Sequence, residues 1–105
     1  MFVKNADLMV QIKMAKVVIT LRIMPDSPDA NLDKVEQQAI KKIKDFVGST
    51  EIKRELEPVA FGINALKIIF VMDENLGSTE ELENNISKID NVNSVEVIDV
   101  RRAIG

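Results

Sequence analysis

Apolar and polar residues alternate along this chain in two different periods. In "AKVVITLRIM", residues 15–24, Val17, Ile19, Leu21 and Ile23 fall on one face. Val18, Thr20, Arg22 and Met24 fall on the other, and this period of two predicts a strand. "PDSPDAN" stops the strand with two prolines among polar residues. Leu32, Val35, Ala39, Ile43 and Phe46 then recur at helical spacing. Asn31 or Asp29 can cap that helix, and Gly48 offers a left-handed exit. "STEIKRELEP" reads as a charged edge strand, because Pro58 cannot donate to a central ladder. "INALKIIFVMDE" is the strongest strand, with Leu66, Ile68, Phe70 and Met72 opposing Ala65, Lys67, Ile69 and Val71. "GSTEELENNISKI" predicts a second helix, with Ser78 and Glu81 as a capping box and Leu82, Ile86 and Ile89 as its apolar stripe. A last strand is expected from about Ser94 to Arg101.

The order strand, helix, strand, strand, helix, strand predicts an α+β ferredoxin-like βαββαβ sandwich. Its four-stranded antiparallel sheet carries both helices on one face. Right-handed crossovers put strands one and three in the middle and strands two and four at the edges. The helix-free face, with Val18, Thr20, Arg22 and Lys67, can be partly wet. Residues 1–13, "MFVKNADLMVQIK", are expected to be an N-terminal extension or tail, and residues 14–105 the domain.

Composition narrows the chemistry. With 105 residues, 46% hydrophobic and 30% charged, the chain suits one soluble domain of modest core. It has no Cys, so neither a disulfide nor a thiolate is available. It has no His, so the commonest general base and zinc ligand is missing. An enzyme is not expected, and no cofactor is. A formal net charge of −3 argues against a nucleic-acid surface. No apolar run is long enough to span a membrane, the first residues lack a signal peptide's pattern, and a cytoplasmic protein is expected.

Three stretches bear on function. Phe61–Gly62 joins the second and third strands. Phe61 either folds back to plug the open end of the core or stands out as an anchor for a partner. Residues alone favour the plug. Arg101 and Arg102 close the last strand, either as solvated charges or as a basic finger for phosphate or for a metal site. The acidic run "MDENLGSTEE" matches no calcium loop and suits helix-terminal chemistry. RNA-recognition domains share this topology and stack bases on strand aromatics. Here Phe70 is the one aromatic within the central strands, and it belongs to the apolar alternation.

"PVAFGINALKIIFVMDE", then "TEELENNISKIDNVNSVEVIDV", then a short basic end, together resemble the guanine nucleotide exchange domain family of translation elongation factor 1-beta. Both the archaeal members and the C-terminal exchange domain of the eukaryotic factor share this ordered set. The resemblance runs from about Met14 to Gly105, and Pro-x-x-Phe-Gly-Ile-x-x-Leu at residues 58–66 is its most specific part. It implies a ferredoxin-like fold and promotion of GDP release from elongation factor 1-alpha, the GTPase that carries aminoacyl-tRNA. GDP, GTP and magnesium would be held by that partner. It also implies that Phe61, followed by Gly62, contacts the GTPase, which points to the exposed anchor and not the core plug. In the family a lysine near the carboxyl end intrudes on the magnesium site; here ungapped alignment puts Arg102 at that position, with Arg101 as a second candidate. A guanidinium is planar and bulkier than an ammonium, so this is a departure. The topology puts Phe61 and Arg102 at opposite ends of strands about 26 Å long. The alternatives are a regulatory or RNA-binding module of the same fold and, more remotely, an acylphosphatase-like enzyme. That enzyme needs an anion loop where "MPDSPDAN" is acidic.

Overall fold

The computed structural model describes residues 16–48 and 50–103. Its elements are β1 (Lys16–Pro25), α1 (Leu32–Val47), β2 (Ile52–Ala60), β3 (Ile63–Asp73), α2 (Glu80–Ser87) and β4 (Val92–Ala103). A short 3₁₀ turn, Glu74–Leu76, follows β3. The sheet order is β2-β3-β1-β4, antiparallel throughout. This is the expected ferredoxin-like arrangement, with β1 and β3 central. The expected extension at residues 1–13 lies outside the described residues.

One face of the sheet is covered. Ile19, Leu21 and Ile23 of β1 and Leu66, Ile68, Phe70 and Met72 of β3 are buried there. They pack against Val35, Ala39 and Ile43 of α1 and Leu82 and Ile86 of α2. Burying each large apolar side chain contributes roughly 1.5–3 kcal/mol, so this single layer is the main stabilising feature. Leu32 and Phe46, expected in the stripe of α1, are half-buried at its ends.

The local signals act as the residues suggest, with two exceptions. The Asn31 side chain accepts a hydrogen bond from the Lys34 amide at 3.2 Å, and Gly48 leaves α1 at φ 82°. At α2 the expected Ser78–Glu81 capping box does not form. The helix begins one residue later, at Glu80, with Thr79 at its cap position. Ser78 Oγ accepts from the Glu80 amide (3.1 Å), and Thr79 Oγ1 donates to Glu83 Oε2 (2.8 Å). The second difference is the length of β4, which runs from Val92 to Ala103, not Ser94 to Arg101. Its end keeps pairing with Lys16, Val17 and Val18 of β1, so both arginines are strand residues.

The edge strand β2 is charged because the helices barely reach it. Ile52 packs on the core, while Arg54 on the same face pairs with Glu36 and lies 3.9 Å from Asp33 of α1. Beyond the paired end of β2, Thr50 stands in for a strand residue. Its Oγ1 donates to the Val71 carbonyl (2.8 Å) and accepts from the Val71 amide (3.3 Å).

Candidate partner-binding site

The β2–β3 hairpin closes in a two-residue turn, with Ala60 paired to Ile63. Phe61 has φ 55° and Gly62 φ 78°. Two positive φ values mark a type I′ turn, whose twist matches the flanking strands. Gly62 tolerates this. A Cβ there would lie 4.0 Å from Pro28 Cβ, so conformation, not space, favours glycine. Phe61 does not tolerate it as well: a bulky L-residue in the left-handed region is unusual, and the conformation costs about 1–2 kcal/mol.

The core-plug reading of Phe61 is wrong: the residue is 95% exposed. The hairpin overruns the core. Burial along β3 begins only at Ala65 and Leu66, and Ile63 and Asn64 are half-buried. A two-residue turn also leaves no slack for the ring to fold back. Leu56 and Val59 are exposed nearby on β2, so the tip is apolar.

The arginines stand at the other end of the sheet. Val17 pairs with Met72 and Arg102, and Val18 with Val71 and Arg101. From the hairpin tip to that level is about ten strand residues, or roughly 30 Å. Phe61 and Arg102 are therefore not brought together.

Arg101 and Arg102 also face opposite ways, and a β-bulge decides which way. Leu21 pairs with Val97, but Thr20 pairs with Asp99, so Ile98 is the extra residue. Without the bulge, Asp99 would fall on the covered face with Val95 and Val97. With it, Asp99 and Arg101 join Thr20 and Val18 on the helix-free face, and Val100 and Arg102 join Ile19 and Val17 on the other. Arg101 Nε lies 3.0 Å from Asp99 Oδ2, two residues back on its own face. Arg102 pairs with the carboxylate of Glu74, the residue after β3. In the sequence Glu74 belongs to an acidic segment where nothing marks this partner. The contact becomes visible only with the register of three strands and the bulge.

The helix-free face is an ion-paired surface. Glu55, Lys67, Arg22 and Glu96 form one row across all four strands. Lys67 Nζ lies 3.7 Å from Glu55 and 3.9 Å from Glu57; Arg22 lies 3.4 Å from Glu57 and 3.5 Å from Glu96. The two cations are thus flanked by carboxylates, which disfavours phosphate. Phe70 is fully buried on the covered face and cannot stack a base. Both points weigh against the RNA-binding alternative. In the acidic run, Asp73 accepts from the Asn75 amide (2.9 Å) and caps the 3₁₀ turn, while Glu80, Glu81 and Glu83 lie in the first turn of α2.

Comparisons with known proteins identify the family. The family profile described as the EF-1 guanine nucleotide exchange domain matches residues 18–103. Elongation factor 1-beta of Methanothermobacter thermautotrophicus is 38% identical over 89 residues, covering 85% of this chain and 98% of the relative. The protein of the same name from Methanobrevibacter smithii is 41% identical over 92 residues, again 85% and 98%. That from Methanocaldococcus jannaschii is 39% identical over 93 residues, 86% and 100%. Among solved structures, the de novo designed protein Foldit4 superposes with a TM-score of 0.58 at 22% identity, over 86% of this chain and 98% of that one. That likeness speaks to the fold alone. With the profile spanning nearly all of the sheet and both helices, the chain belongs to the EF-1 guanine nucleotide exchange domain family.

Proposed function

We propose that this exchange factor binds elongation factor 1-alpha and speeds its release of GDP during translation elongation, in the cytoplasm. Phe61 and Gly62 form one contact and the Arg101–Arg102 end of the sheet forms the other. The single observation that carries the reading is Phe61: an aromatic held at φ 55° and 95% exposed. Local strain and lost burial both oppose that arrangement, and a large aromatic that fills a partner's pocket offsets them. No helix among the described residues is long and apolar enough to cross a membrane.

The chemistry follows from linkage. A partner that prefers the nucleotide-free GTPase weakens nucleotide binding by the same coupling free energy with which nucleotide weakens the partner. Phe61 supplies affinity that does not depend on the nucleotide. Arg102 supplies the dependence: its positive charge repels the magnesium of the GTPase and offers that metal's anionic ligands another mate. Gly62 keeps the turn that presents Phe61. No proton moves and no covalent bond changes, so the lack of His and Cys is no obstacle. The exchange domain is residues 14–105 on this reading, and a variant lacking residues 1–13 should release GDP as fast as the full chain; a large loss would place part of the site in that segment.

Calorimetric titration of the cognate elongation factor 1-alpha tests the proposal. Binding should be tight without nucleotide and weaken as GDP and magnesium are added together. Equal affinity in both states would overturn it, since a ligand with no preference shifts nothing.

A further inference from the structure

Arg102 is not a free charge in the isolated protein. Its guanidinium is paired with Glu74, the residue after β3, and β3 and β4 lie on either side of β1. Met72, Val17 and Arg102 stand in one row, and Asp73, Lys16 and Ala103 in the next. Glu74, one residue further, therefore reaches across the first residues of β1. Its backbone is braced. The Asn75 amide donates to Asp73 Oδ1 at 2.9 Å, and the Gly77 amide donates to the Glu74 carbonyl at 3.3 Å.

Among the described residues, the neighbouring charges do not compete for this place. Asp73 faces the other side of the sheet, 3.9 Å from Lys16, and Arg101 is turned toward Asp99. The bulge at Ile98 is what brings Arg102, and not Arg101, to the Glu74 side.

We infer that Glu74 is a positioning residue for nucleotide exchange: its carboxylate holds the Arg102 guanidinium at the end of the sheet, oriented for the partner's anionic site. This rests on the reading of Arg102 as the exchange cation. The pair is exposed, with 71% of the Arg102 side chain and 37% of the Glu74 side chain accessible, so it adds little to the stability of the fold. What it does is restrict a long side chain in advance, which lowers the ordering cost of the contact Arg102 makes in the rate-limiting state. A guanidinium suits this arrangement. It has five N–H donors in a rigid plane, and the Glu74 bond uses Nη2. Among the described residues no other group engages its remaining donors, which suit carboxylate or phosphate oxygens. An ammonium, a point charge on a flexible stem with three rotatable donors, has no rigid plane through which one bond fixes the direction of the others. The arginine at this position and the glutamate after β3 thus form one device.

The test is a double-mutant cycle on release of fluorescent GDP from magnesium-loaded elongation factor 1-alpha, over a range of concentrations of the full chain. Glu74→Gln should lower the maximal rate roughly fivefold, with half-saturation changed less than about twofold, as expected for a contact felt mainly in the rate-limiting state. Glu74→Asp should recover part of the rate. In an Arg102→Ala background, Glu74→Gln should have no further effect. Thermal unfolding should be nearly unchanged in each variant. If Arg102→Ala is impaired while Glu74→Gln matches the unsubstituted protein, the positioning role is overturned and the role of Arg102 stands. An equal loss from Glu74→Gln with and without Arg102 also overturns it. If Arg102→Ala is as fast as the unsubstituted protein, the exchange role of Arg102 falls, and that of Glu74 with it.

Discussion

Phe61 and Arg102 stand at opposite ends of the sheet, roughly 30 Å apart along the strands. On the proposed reading, the partner is gripped along the length of the domain. Contacts this far apart share no side chains, so their effects on release should combine independently. Phe61→Ala together with Arg102→Ala should slow release by the product of the two single effects, measured as a rate ratio at fixed, subsaturating concentration. A double variant no worse than the poorer single one would mean that the two residues act as a unit, contrary to the geometry.

On the proposed reading, the turn conformation sets stability against function at Phe61. Asn adopts the left-handed region more easily than Phe, and Asn-Gly is a favoured type I′ pair. Phe61→Asn should raise the stability of the isolated protein by about 1 kcal/mol, a rise in Tm of about 4–8 °C for a domain of this size. The same variant should lose GDP release by tenfold or more, on the scale of about 2 kcal/mol for an interface anchor. Thermal unfolding and release kinetics on one preparation check both. A drop in Tm would mean that Phe61 packs against its own domain.

The two arginines should separate cleanly. They lie on opposite faces, and only Arg102 shares the side of Glu74. Arg102→Ala should lower the maximal release rate about tenfold, the effect of one transition-state contact of about 1.4 kcal/mol. Arg101→Ala should act through long-range attraction, lowering the rate less than about threefold at low salt and hardly at all at high salt. The reverse ranking would mean that the bulge at Ile98 does not persist in the complex.

Thr50 offers a check on the fold that is independent of function. Its hydroxyl satisfies both backbone groups of Val71 where β2 no longer reaches. Thr50→Val keeps the shape and removes both bonds, so it should cost about 1–2 kcal/mol. Denaturant unfolding should show a lower midpoint with an unchanged slope, and release at saturating concentration should be unaffected. An unchanged midpoint would mean that water replaces the hydroxyl at no cost.

The fold was legible where one physical signal was uninterrupted. Val17 to Ile23 and Leu66 to Met72 alternate without a break, and Val35, Ala39 and Ile43 keep helical spacing. Topology then followed from connection rules, not from any single residue. The phase change in β4 was harder, because a bulge is set by the partner strand. Its trace in the sequence is small: valines at 95 and 97, then at 100. Residues alone mislead at Phe61 because hydrophobicity argues for burial, whereas its position beyond the core layer is a tertiary fact. The family resemblance corrected it. The α2 cap was misjudged because Ser78 and Thr79 are adjacent hydroxyl residues with acids downstream of both, and local chemistry alone does not choose between them. Glu74 was read without its partner, since that contact needs β3, β1 and β4 in register.

The most direct measurement is stopped-flow release of fluorescent GDP from the cognate, magnesium-loaded elongation factor 1-alpha, with the intact protein beside Phe61→Ala and Arg102→Ala at one fixed, subsaturating concentration. Strong acceleration by the intact protein, largely lost in each variant, is the predicted result. No acceleration by the intact protein would contradict exchange, and full acceleration by both variants would contradict this account of where the partner is held.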